Sequence, residues 1–403
     1  MRRRSFDGEK LTSWASRPAA KTSWSRWLSQ SWKYGSFVVR SSRSLVEEAK
    51  DQIKRLSGAS LNQGIVELLR QSKNSENILR TAQAILDTKG ISSDYQHEVI
   101  DPQIRRMLGM ASHGVNGLQF AAALAIADST DFRTEDDAFL SILAELASSS
   151  SAALRLGHTV TELSHRNAND GSASWEVRYL STNKEDSNID MYDHAILTIP
   201  GLGGLLNDAL DVSSSLAQDR ASVYQPVYVT FFAAQDRLDP EIFNESSLLP
   251  DQILFVDSPA LGVFRDVNEL AFVRHLYRIE DGETVGPGYL YRFLSTSPID
   301  MTSILSNCSK HPVIDWSYYK EVRTAHLPTS ALSHVKLTAQ IVHGYPVLFP
   351  HSSFPSFNLD QRGLWRTSAI ESVGSSIDLS WAAGEAVASM VIKDILSEAA
   401  ESH

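Results

Sequence analysis

The stretch SAIESVGSSIDLSWAAGEAVASMVI, from Ser368 to Ile392, is the part of the chain that decides the fold prediction. It begins as a tight polar loop, in which Ser375 or Ser376 is placed to cap a helix, with Asp378 in the first turn. The small residues of that helix are Ala382, Ala383, Gly384, Ala386 and Ala388. A helix this thin can approach a sheet or a flat ring closely. The pattern therefore predicts either a terminal helix docked on a sheet or a helix that contacts a ligand.

The composition is that of an ordinary globular chain. Its 403 residues are enough for two domains, and 42% are hydrophobic and 21% charged. The formal net charge of −11 argues against broad nucleic-acid binding, which requires a basic surface. The single cysteine, Cys308, allows no intrachain disulfide. We expect no nucleic-acid partner.

No targeting, membrane or metal motif is visible. The most apolar stretch, GLQFAAALAIAD from Gly117, is shorter than the roughly 18 residues that a membrane span needs. No secretory signal can be recognised, so the localisation is unknown. The histidines are scattered without metal-ligand spacing, and no Gly-x-Ser-x-Gly elbow is present. We expect neither a membrane span nor a metal site nor a serine hydrolase.

The order of elements predicts an α/β protein. SFDGEKLTSWAS reads as a hairpin with its turn at Asp7 and Gly8, although no sheet precedes it. A long helical region follows, in which SENILRTAQAILDTKG is one predicted helix and Ser92 or Ser93 caps the next. Alternating segments such as ASWEVRYL, YDHAILTIPG and ELAFVRHLYRI predict strands further on.

Two weaker features remain open. PGLGGLL at Pro200 contains Gly201-x-Gly203, but Leu206 stands where a dinucleotide loop needs a small residue, which favours a simple strand-to-helix turn. His113, in MASHGVNG, and His351, in LFPHSSFP, lie in predicted loops. Each either faces a pocket or is simply solvated.

The order of FDGEKL, WKYG, VIDPQIRRM, YDHAILTIP, LFPH and SAIESVGSSIDLSWAAGEA resembles the prenylcysteine oxidase family, also called prenylcysteine lyases, over nearly the whole chain. In that family the closing segment lies along the flavin. The resemblance implies a cofactor-binding set of Glu371, Ser375, Ile377, Asp378 and Leu379. WKYG is similar to a motif of the helical substrate domain. With the two loop histidines it implies a substrate pocket of Trp32, Tyr34, His113 and His351.

The family resemblance also implies an activity. Its members use FAD to take hydride from the carbon next to sulfur in a farnesyl- or geranylgeranyl-cysteine. Water then splits the product into cysteine and a prenyl aldehyde, and oxygen gives hydrogen peroxide. The partner is therefore a small apolar prenyl or terpenoid substrate, and the cofactor performs the difficult step, so that catalytic side chains stay unknown. Family members are often vesicular or lysosomal.

The chain departs from the family pattern in two places. It starts after the strand, glycine-rich turn and helix that hold the ADP part of FAD. Asp136 and Asp137, in FRTEDDAFLSIL, stand where the family has small residues, and they would repel a pyrophosphate. Besides the FAD-dependent oxidase, two alternatives stay open. One is a cofactor-free binding protein or cyclase for an apolar terpenoid-like substrate, and the other is an inactive truncated homologue.

The resemblance refines the α/β class to an incomplete FAD-type, Rossmann-like domain together with a substrate domain of helices and an antiparallel sheet. We expect residues 1–130 to form the mainly helical part of the substrate domain and residues 206–350 its mixed sheet. Residues 131–205 supply returning strands of the FAD-type domain, and residues 351–403 supply its C-terminal segment.

Overall fold

A computed structural model gives the architecture of the chain. The described residues are 3–13, 23–127, 138–167, 173–181, 187–199, 223–234, 237–280, 283–299, 313–321, 343–360 and 363–401. Within them the chain divides into two compact units. Unit 1 comprises Met1–Gly58, Leu69–Asp128 and Val223–Ser352, and unit 2 comprises Ala59–Leu68, Ser129–Ser222 and Ser353–His403. The four-segment domain division stays a prediction.

Most of the helices in the described part of the chain occur before residue 128. They are α1 (Ser23–Tyr34), α2 (Ser36–Ser57), α3 (Ile65–Gln71), α4 (Ser75–Leu79), α5 (Ala82–Thr88), α6 (Ser93–Tyr95), α7 (Asp101–Leu108) and α8 (Gly117–Ala127). A π-helical turn, Gln96–Ile100, joins α6 to α7. Later helices are α9 (Ala138–Ser149) and α10 (Ile377–Glu401).

Local chemistry sets several helix ends. Gly35 has a φ of 92°, a value that favours glycine, and it separates α1 from α2. Ser92 caps α6 by accepting a hydrogen bond from the backbone N–H of Tyr95, which confirms the predicted cap. The single helix predicted for SENILRTAQAILDTKG is wrong. Arg80 is extended and Thr81 caps a new helix, because its hydroxyl accepts from the N–H of Ala84.

A seven-stranded sheet forms the other half of unit 1. In spatial order its strands are β12 (Val313–Glu321), β8 (Tyr228–Ala234), β11 (Glu283–Ser295), β10 (Val267–Glu280), β9 (Gln252–Phe255), β1 (Arg3–Phe6) and β2 (Leu11–Ser13). Every neighbouring pair is antiparallel except β1 and β9. The smaller pair of β7 (Val223–Pro226) and β13 (His343–Val347) is also antiparallel.

The predicted N-terminal hairpin is confirmed, and the later chain supplies the sheet that it joins. β1 pairs with β2 around Asp7 and Gly8, and its other edge pairs with β9 in parallel. Gly8 has a φ of 101°, and a Cβ there would lie 2.4 Å from the carbonyl carbon of Ala260. Only glycine fits this turn without moving the backbone of the 3₁₀ segment Pro259–Phe264.

Unit 1 holds two apolar clusters. The first joins α2, α5, α7 and α8, and includes Val39, Leu86, Ile104 and Phe120. The second is aromatic and lies on the strands, where it includes Phe6, Phe232, Phe255, Phe264 and Phe293. Alternation along β9 sends Leu254 to the first cluster and Ile253 and Phe255 to the second. The central sheet therefore separates the two clusters.

Unit 2 is built from three antiparallel strands and a short parallel pair. β3 (His158–Asn167), β4 (Ala173–Ser181) and β5 (Ser187–Tyr192) form the antiparallel sheet, and β6 (Ala195–Leu197) pairs in parallel with β14 (Leu364–Arg366). One buried apolar cluster in its described residues consists of Leu163, Trp175, Leu359 and Leu364. The predicted mixed α/β class, with an antiparallel sheet beside helices, is confirmed.

Candidate functional site

The candidate site of unit 2 is a strand, a turn and a helix in immediate succession. β14 is buried, and the backbone N–H of Thr367 after it donates to the carbonyl of Leu197 at 2.9 Å. The chain then makes the 3₁₀ turn Ser368–Ser372 and enters α10. The first turn of α10 thus follows the carboxyl end of the parallel strand pair, where α/β proteins commonly bind ligands.

Ser376 caps this helix. Its hydroxyl accepts from the backbone N–H of Leu379 at 3.3 Å, and its carbonyl accepts from the N–H of Ser380 at 3.0 Å. The sequence left Ser375 and Ser376 as alternative caps, and the structure selects Ser376. Ser375 stays exposed just outside the helix.

The five predicted cofactor contacts divide by exposure. Ser375, Ile377 and Asp378 are exposed, while Glu371 is half-buried in the 3₁₀ turn. Leu379 is buried, and a Cβ at Gly374 would lie 3.1 Å from its Cδ1. The exposed residues therefore surround the start of α10, and Leu379 anchors that start to the unit. Their role in cofactor binding stays a prediction.

The body of α10 has one closely packed face. Leu379, Ala383, Ala386 and Val387 are buried at intervals that place them on one side of the helix. Gly384 lies on another side, where a Cβ would meet no atom within 4 Å. Exposed Ile377 and Trp381 lie one helical turn apart on this open side. The thin helix thus leaves open space beside apolar side chains.

In unit 1, the Tyr34 of the WKYG motif belongs to a charged cluster. Its hydroxyl donates to Oε2 of Glu98 at 2.6 Å, and Lys33 also contacts that oxygen. Burial and the neighbouring Glu98 raise the pKa of Tyr34 well above its usual value. Burial alone would raise the pKa of Glu98, but the hydrogen bonds from Lys33 and Tyr34 outweigh it and lower that pKa. Tyr34 is therefore a fixed neutral donor.

The other predicted pocket residues lie in unit 1 in different settings. The Trp32 side chain is 94% exposed. His113 is exposed in the 3₁₀ turn Ser112–Gly114, shortly before α8. The Nδ1 of half-buried His351 lies 2.7 Å from the carbonyl of Phe349, and its backbone N–H donates to the carbonyl of Ile78. No described contact joins the Trp32–Tyr34 pair to either histidine, and the pocket stays a prediction.

A buried ion cluster ties the helices of unit 1 to the sheet. Glu269 on β10 is fully buried, and it accepts from Arg106 of α7 at 2.6 Å and from Arg292 of β11 at 2.5 Å. Because removing one member strands the others in a poorly solvated site, the cluster fixes α7 against the strands. Both carboxylate oxygens of Glu269 are paired within the cluster, so its first role is structural.

A small pocket opens on the aromatic side of the same sheet. It encloses about 490 Å³ of empty space, its open mouth included. Leu270, Phe272 and Tyr291 line it, and Arg237 and Asp251 add charge. The Tyr291 hydroxyl is oriented by the backbone N–H of Leu238 at 3.2 Å. None of the four residues predicted for the substrate pocket lines this one.

Several predicted features lie outside the described residues, namely Asp136, Asp137, Cys308 and the PGLGGLL segment at Pro200. Within the described part of the chain, no group of three or more His, Cys, Asp or Glu residues is placed to hold a metal ion. In that part, too, no helix has the length and apolarity that crossing a bilayer demands.

No sequence pattern indicated Glu98 or the pairing of β6 with β14. Glu98 sits 64 positions from Tyr34 in the chain and meets it only through the fold. It lies in a π-helical turn, a feature that is often found at functional sites. The pattern of apolar residues does not reveal such a turn before the structure is known.

The chain is similar to known proteins in sequence and in fold. The prenylcysteine lyase family model matches residues 19–402. No curated protein matches the chain. Among solved structures, a putrescine oxidase double mutant with redesigned cofactor binding is 11% identical with a TM-score of 0.44. The match covers 77% of this chain, which spans only 60% of that enzyme's chain.

Two further solved structures are similar to the chain. A triple mutant from the same putrescine oxidase redesign is 9% identical with a TM-score of 0.49, over 97% of this chain and 81% of that one. The cyclohexylamine oxidase from Brevibacterium oxydans IH-35A is 11% identical with a TM-score of 0.45, over 93% of this chain and 76% of that one.

Proposed function

Because the chain belongs to the prenylcysteine lyase family, we propose that it is a flavin-dependent oxidoreductase that cleaves a prenyl thioether. The family match over residues 19–402 is the observation that carries this proposal. In the balanced reaction, a prenylcysteine, oxygen and water give cysteine, a prenyl aldehyde and hydrogen peroxide. The carbon next to sulfur is oxidised, oxygen is reduced, and the aldehyde oxygen comes from water.

The residues at the start of α10 fit the ring end of a flavin. Helix N-termini favour electron-rich groups, because their first N–H groups point outward. Asp378 adds negative charge to this turn, which disfavours a pyrophosphate there and leaves a ring edge as the better match. The open space beside Gly384 gives a flat ring room to approach the helix.

The chain's own groups have distinct tasks in this proposal. FAD, when bound, supplies the hydride acceptor, so the protein has to bind, orient and exclude water. Ser376 holds the first turn in shape through its bond to the N–H of Leu379. Ile377 and Trp381 offer apolar surface for the prenyl chain on the same side of the helix. We assign no described residue to the binding of the ADP part of FAD.

The test combines a spectrum with a product assay. The purified chain is mixed with FAD, separated from free cofactor and scanned in the visible range, then supplied with farnesylcysteine while peroxide, cysteine and aldehyde are measured. We expect retained flavin absorbance and equal amounts of the three products. A colourless protein that forms no peroxide would contradict the proposal.

A matched pair of variants locates the cofactor. Ile377→Glu places a charge at the start of α10, and we expect it to weaken FAD binding at least about tenfold. Ile392→Glu introduces the same charge at a similarly exposed isoleucine four turns further along the helix, and it should leave FAD binding unchanged. Equal effects of the two substitutions would remove the start of α10 from the cofactor site.

The pocket of unit 1 favours a second candidate, a cofactor-free binding protein for an apolar, terpenoid-like molecule. Seven of its ten lining residues are apolar, while Arg237, Asp251 and Tyr291 supply polar groups, a combination that small-molecule sites use for affinity and orientation. Titration with farnesol in the absence of FAD tests this function, with Phe272→Ala as the pocket variant. Binding that Phe272→Ala weakens supports the second candidate, and absence of binding eliminates it.

A further inference from the structure

Among the described side chains of the helical region, the most exposed large one is Trp32, on the last turn of α1. Tryptophan usually buries most of its ring, but Trp32 is 94% exposed to solvent. The opposite face of α1 is packed against the rest of unit 1, because Gln30 is buried and Trp27 and Tyr34 pack against the first apolar cluster. Trp32 is thus directed away from a helix face that is already packed.

Two more exposed apolar side chains lie close to it in the chain. Leu28, one turn earlier on α1, is 42% exposed, and Phe37, at the start of α2, is 66% exposed. We call Leu28, Trp32 and Phe37 the junction patch. The Phe37 ring rests beside Gly90, since a Cβ there would lie 2.8 Å from its Cε1. Gly35 connects the two helices between these side chains. The patch is therefore carried by ordered helices.

The charge around the junction patch is opposite to that of the chain. Residues 23–46 contain the basic residues Arg26, Lys33, Arg40 and Arg43 and no Asp or Glu, whereas the whole chain has a net charge of −11. Glu98 neutralises Lys33, and Asp94 lies near Tyr34. Arg40 and Arg43 are exposed on α2 and form no ion pair in the described residues.

We propose that the junction patch docks on the surface of an anionic lipid bilayer. Exposed tryptophan, phenylalanine and leucine within a short helical segment, with basic residues in the same segment, are features of helices that lie in a membrane interface. Tryptophan favours the headgroup level, because its ring is apolar and its indole N–H needs a polar partner. Arg40 and Arg43 supply the attraction to anionic headgroups.

The chemistry favours a bilayer over a protein partner. A protein interface of ordinary size buries roughly 800 Å² on each side, far more than three side chains provide. Shallow insertion of a few apolar side chains, reinforced by basic residues, is sufficient for reversible membrane binding. Docking would bring the protein to the place where apolar prenyl compounds collect. The proposal itself rests on the patch and not on the proposed oxidation.

Vesicle sedimentation tests the docking. The purified chain is mixed with vesicles of phosphatidylcholine alone or of phosphatidylcholine with phosphatidylserine, and the bound fraction is measured at low and high salt. We expect binding to the phosphatidylserine vesicles that weakens as salt screens the arginines. Binding of equal strength to both vesicle types at every salt concentration, or no binding to either, would overturn the proposal.

Variants assign the binding to the patch. Trp32→Ser with Phe37→Ser should lower vesicle affinity at least about tenfold. Arg40→Gln with Arg43→Gln should lower it about tenfold on phosphatidylserine only. The control, Val66→Ser with Leu248→Ser, replaces two comparably exposed apolar side chains elsewhere and should have no effect. A control that weakens binding as much as the patch variant would overturn the proposal.

A last set of measurements distinguishes membrane docking from self-association and from oxidase activity. If the wild-type chain sediments as a dimer that Trp32→Ser abolishes, and does not bind vesicles, the occupant is a second copy and the proposal is wrong. Peroxide production from soluble farnesylcysteine is measured on Arg40→Gln with Arg43→Gln, because Trp32 also belongs to the predicted substrate pocket. If this variant loses binding to phosphatidylserine vesicles and keeps its peroxide production, the two proposals stand or fall separately.

Discussion

The two units bury their apolar residues to very different extents. In unit 1, both faces of the seven-stranded sheet are covered, one by helices and one by an aromatic cluster. In the described part of unit 2, the buried cluster on the strands has four members, α10 buries one face, and two helices also leave apolar side chains exposed. These are Leu140, Ile142, Leu143 and Leu146 on α9 and Ile377, Trp381, Ile392, Ile395 and Leu396 on α10.

This difference indicates where ligands bind. A folded chain rarely exposes a large apolar surface unless that surface serves an interaction or a ligand. Unit 1 contains two apolar clusters and a buried ion cluster in its described residues, and unit 2 exposes the apolar surface to which we assign the proposed cofactor and substrate. The parallel pair of β6 and β14 is too small to be stable alone, and its Leu364 packs in one buried cluster with Leu163 and Trp175 of the three-stranded sheet.

The largest expected effect concerns the ion cluster of unit 1. Glu269→Ala leaves the positive charges of Arg106 and Arg292 without their buried partner, and we expect a loss of about 3–5 kcal/mol in the free energy of unfolding. Urea unfolding measures it. Glu47→Gln, which removes an exposed ion pair with Lys50, is the control and should cost less than about 1 kcal/mol. Similar losses in the two variants would mean that the cluster does not stabilise unit 1.

The next prediction concerns the buried cluster on the strands of unit 2. Leu364→Ala deletes a fully buried side chain from a cluster with few other members, and we expect a cost of about 3 kcal/mol. Because the units have separate cores, the melting transition of unit 2 should shift while that of unit 1 stays in place. Leu156→Ala, at an exposed leucine of the same unit, should leave both transitions unchanged. A common shift of both transitions would show that the units unfold as one.

A smaller effect, on unit 1, depends on pH. The pKa of Glu98 is lower in the folded chain than its usual value of 4.5, because the bonds from Lys33 and Tyr34 outweigh its burial. The unfolded chain therefore binds more protons as the pH falls. The stabilisation is present above about pH 4.5 and is lost as the pH drops through the folded pKa.

Glu98→Gln checks this contribution. The variant should lower the free energy of unfolding at pH 7 by about 1 kcal/mol and should flatten its pH dependence below pH 4.5. Unfolding is measured in urea from neutral to acidic pH, with Glu76→Gln, at an exposed residue, as the control. A pH profile identical to that of the wild type would show that the Glu98 cluster adds no stability.

The smallest expected effect tests whether the flavin ring lies beside α10. Gly384→Ala meets no neighbour within 4 Å and improves helix propensity, so unit 2 without FAD should gain about 0.5 kcal/mol. The melting temperature measures this gain. In the presence of FAD, the same methyl group intrudes on the space that we assign to the ring, and FAD affinity should fall. A variant that keeps full FAD affinity would place the ring elsewhere.

Local features of the fold were predictable because a few neighbouring residues determine them. The turn at Asp7 and Gly8, the cap at Ser92 and the helix after Ser376 each depend on side chains within four positions. The break at Thr81 was missed because SENILRTAQAILDTKG keeps helical periodicity across it, while a hydroxyl cap decides the outcome.

Long-range features could not be predicted, because no local pattern encodes them. Arg3 of β1 pairs with Gln252 of β9, far later in the chain. Glu269 accepts a hydrogen bond from Arg106, which lies 163 positions earlier. In the candidate site, the family motif identified the segment around Ser375 and Leu379. It did not reveal that Leu379 is an anchor and that Ile377 and Asp378 are the exposed members.

Amide hydrogen exchange with and without FAD tests the central claim most directly, because it reads both units in one experiment. The account predicts that FAD slows exchange in the first turns of α10 and in β6 and β14, while the cores of unit 1 are already protected and do not change. Unchanged exchange throughout unit 2 at saturating FAD, or protection confined to unit 1, would contradict it.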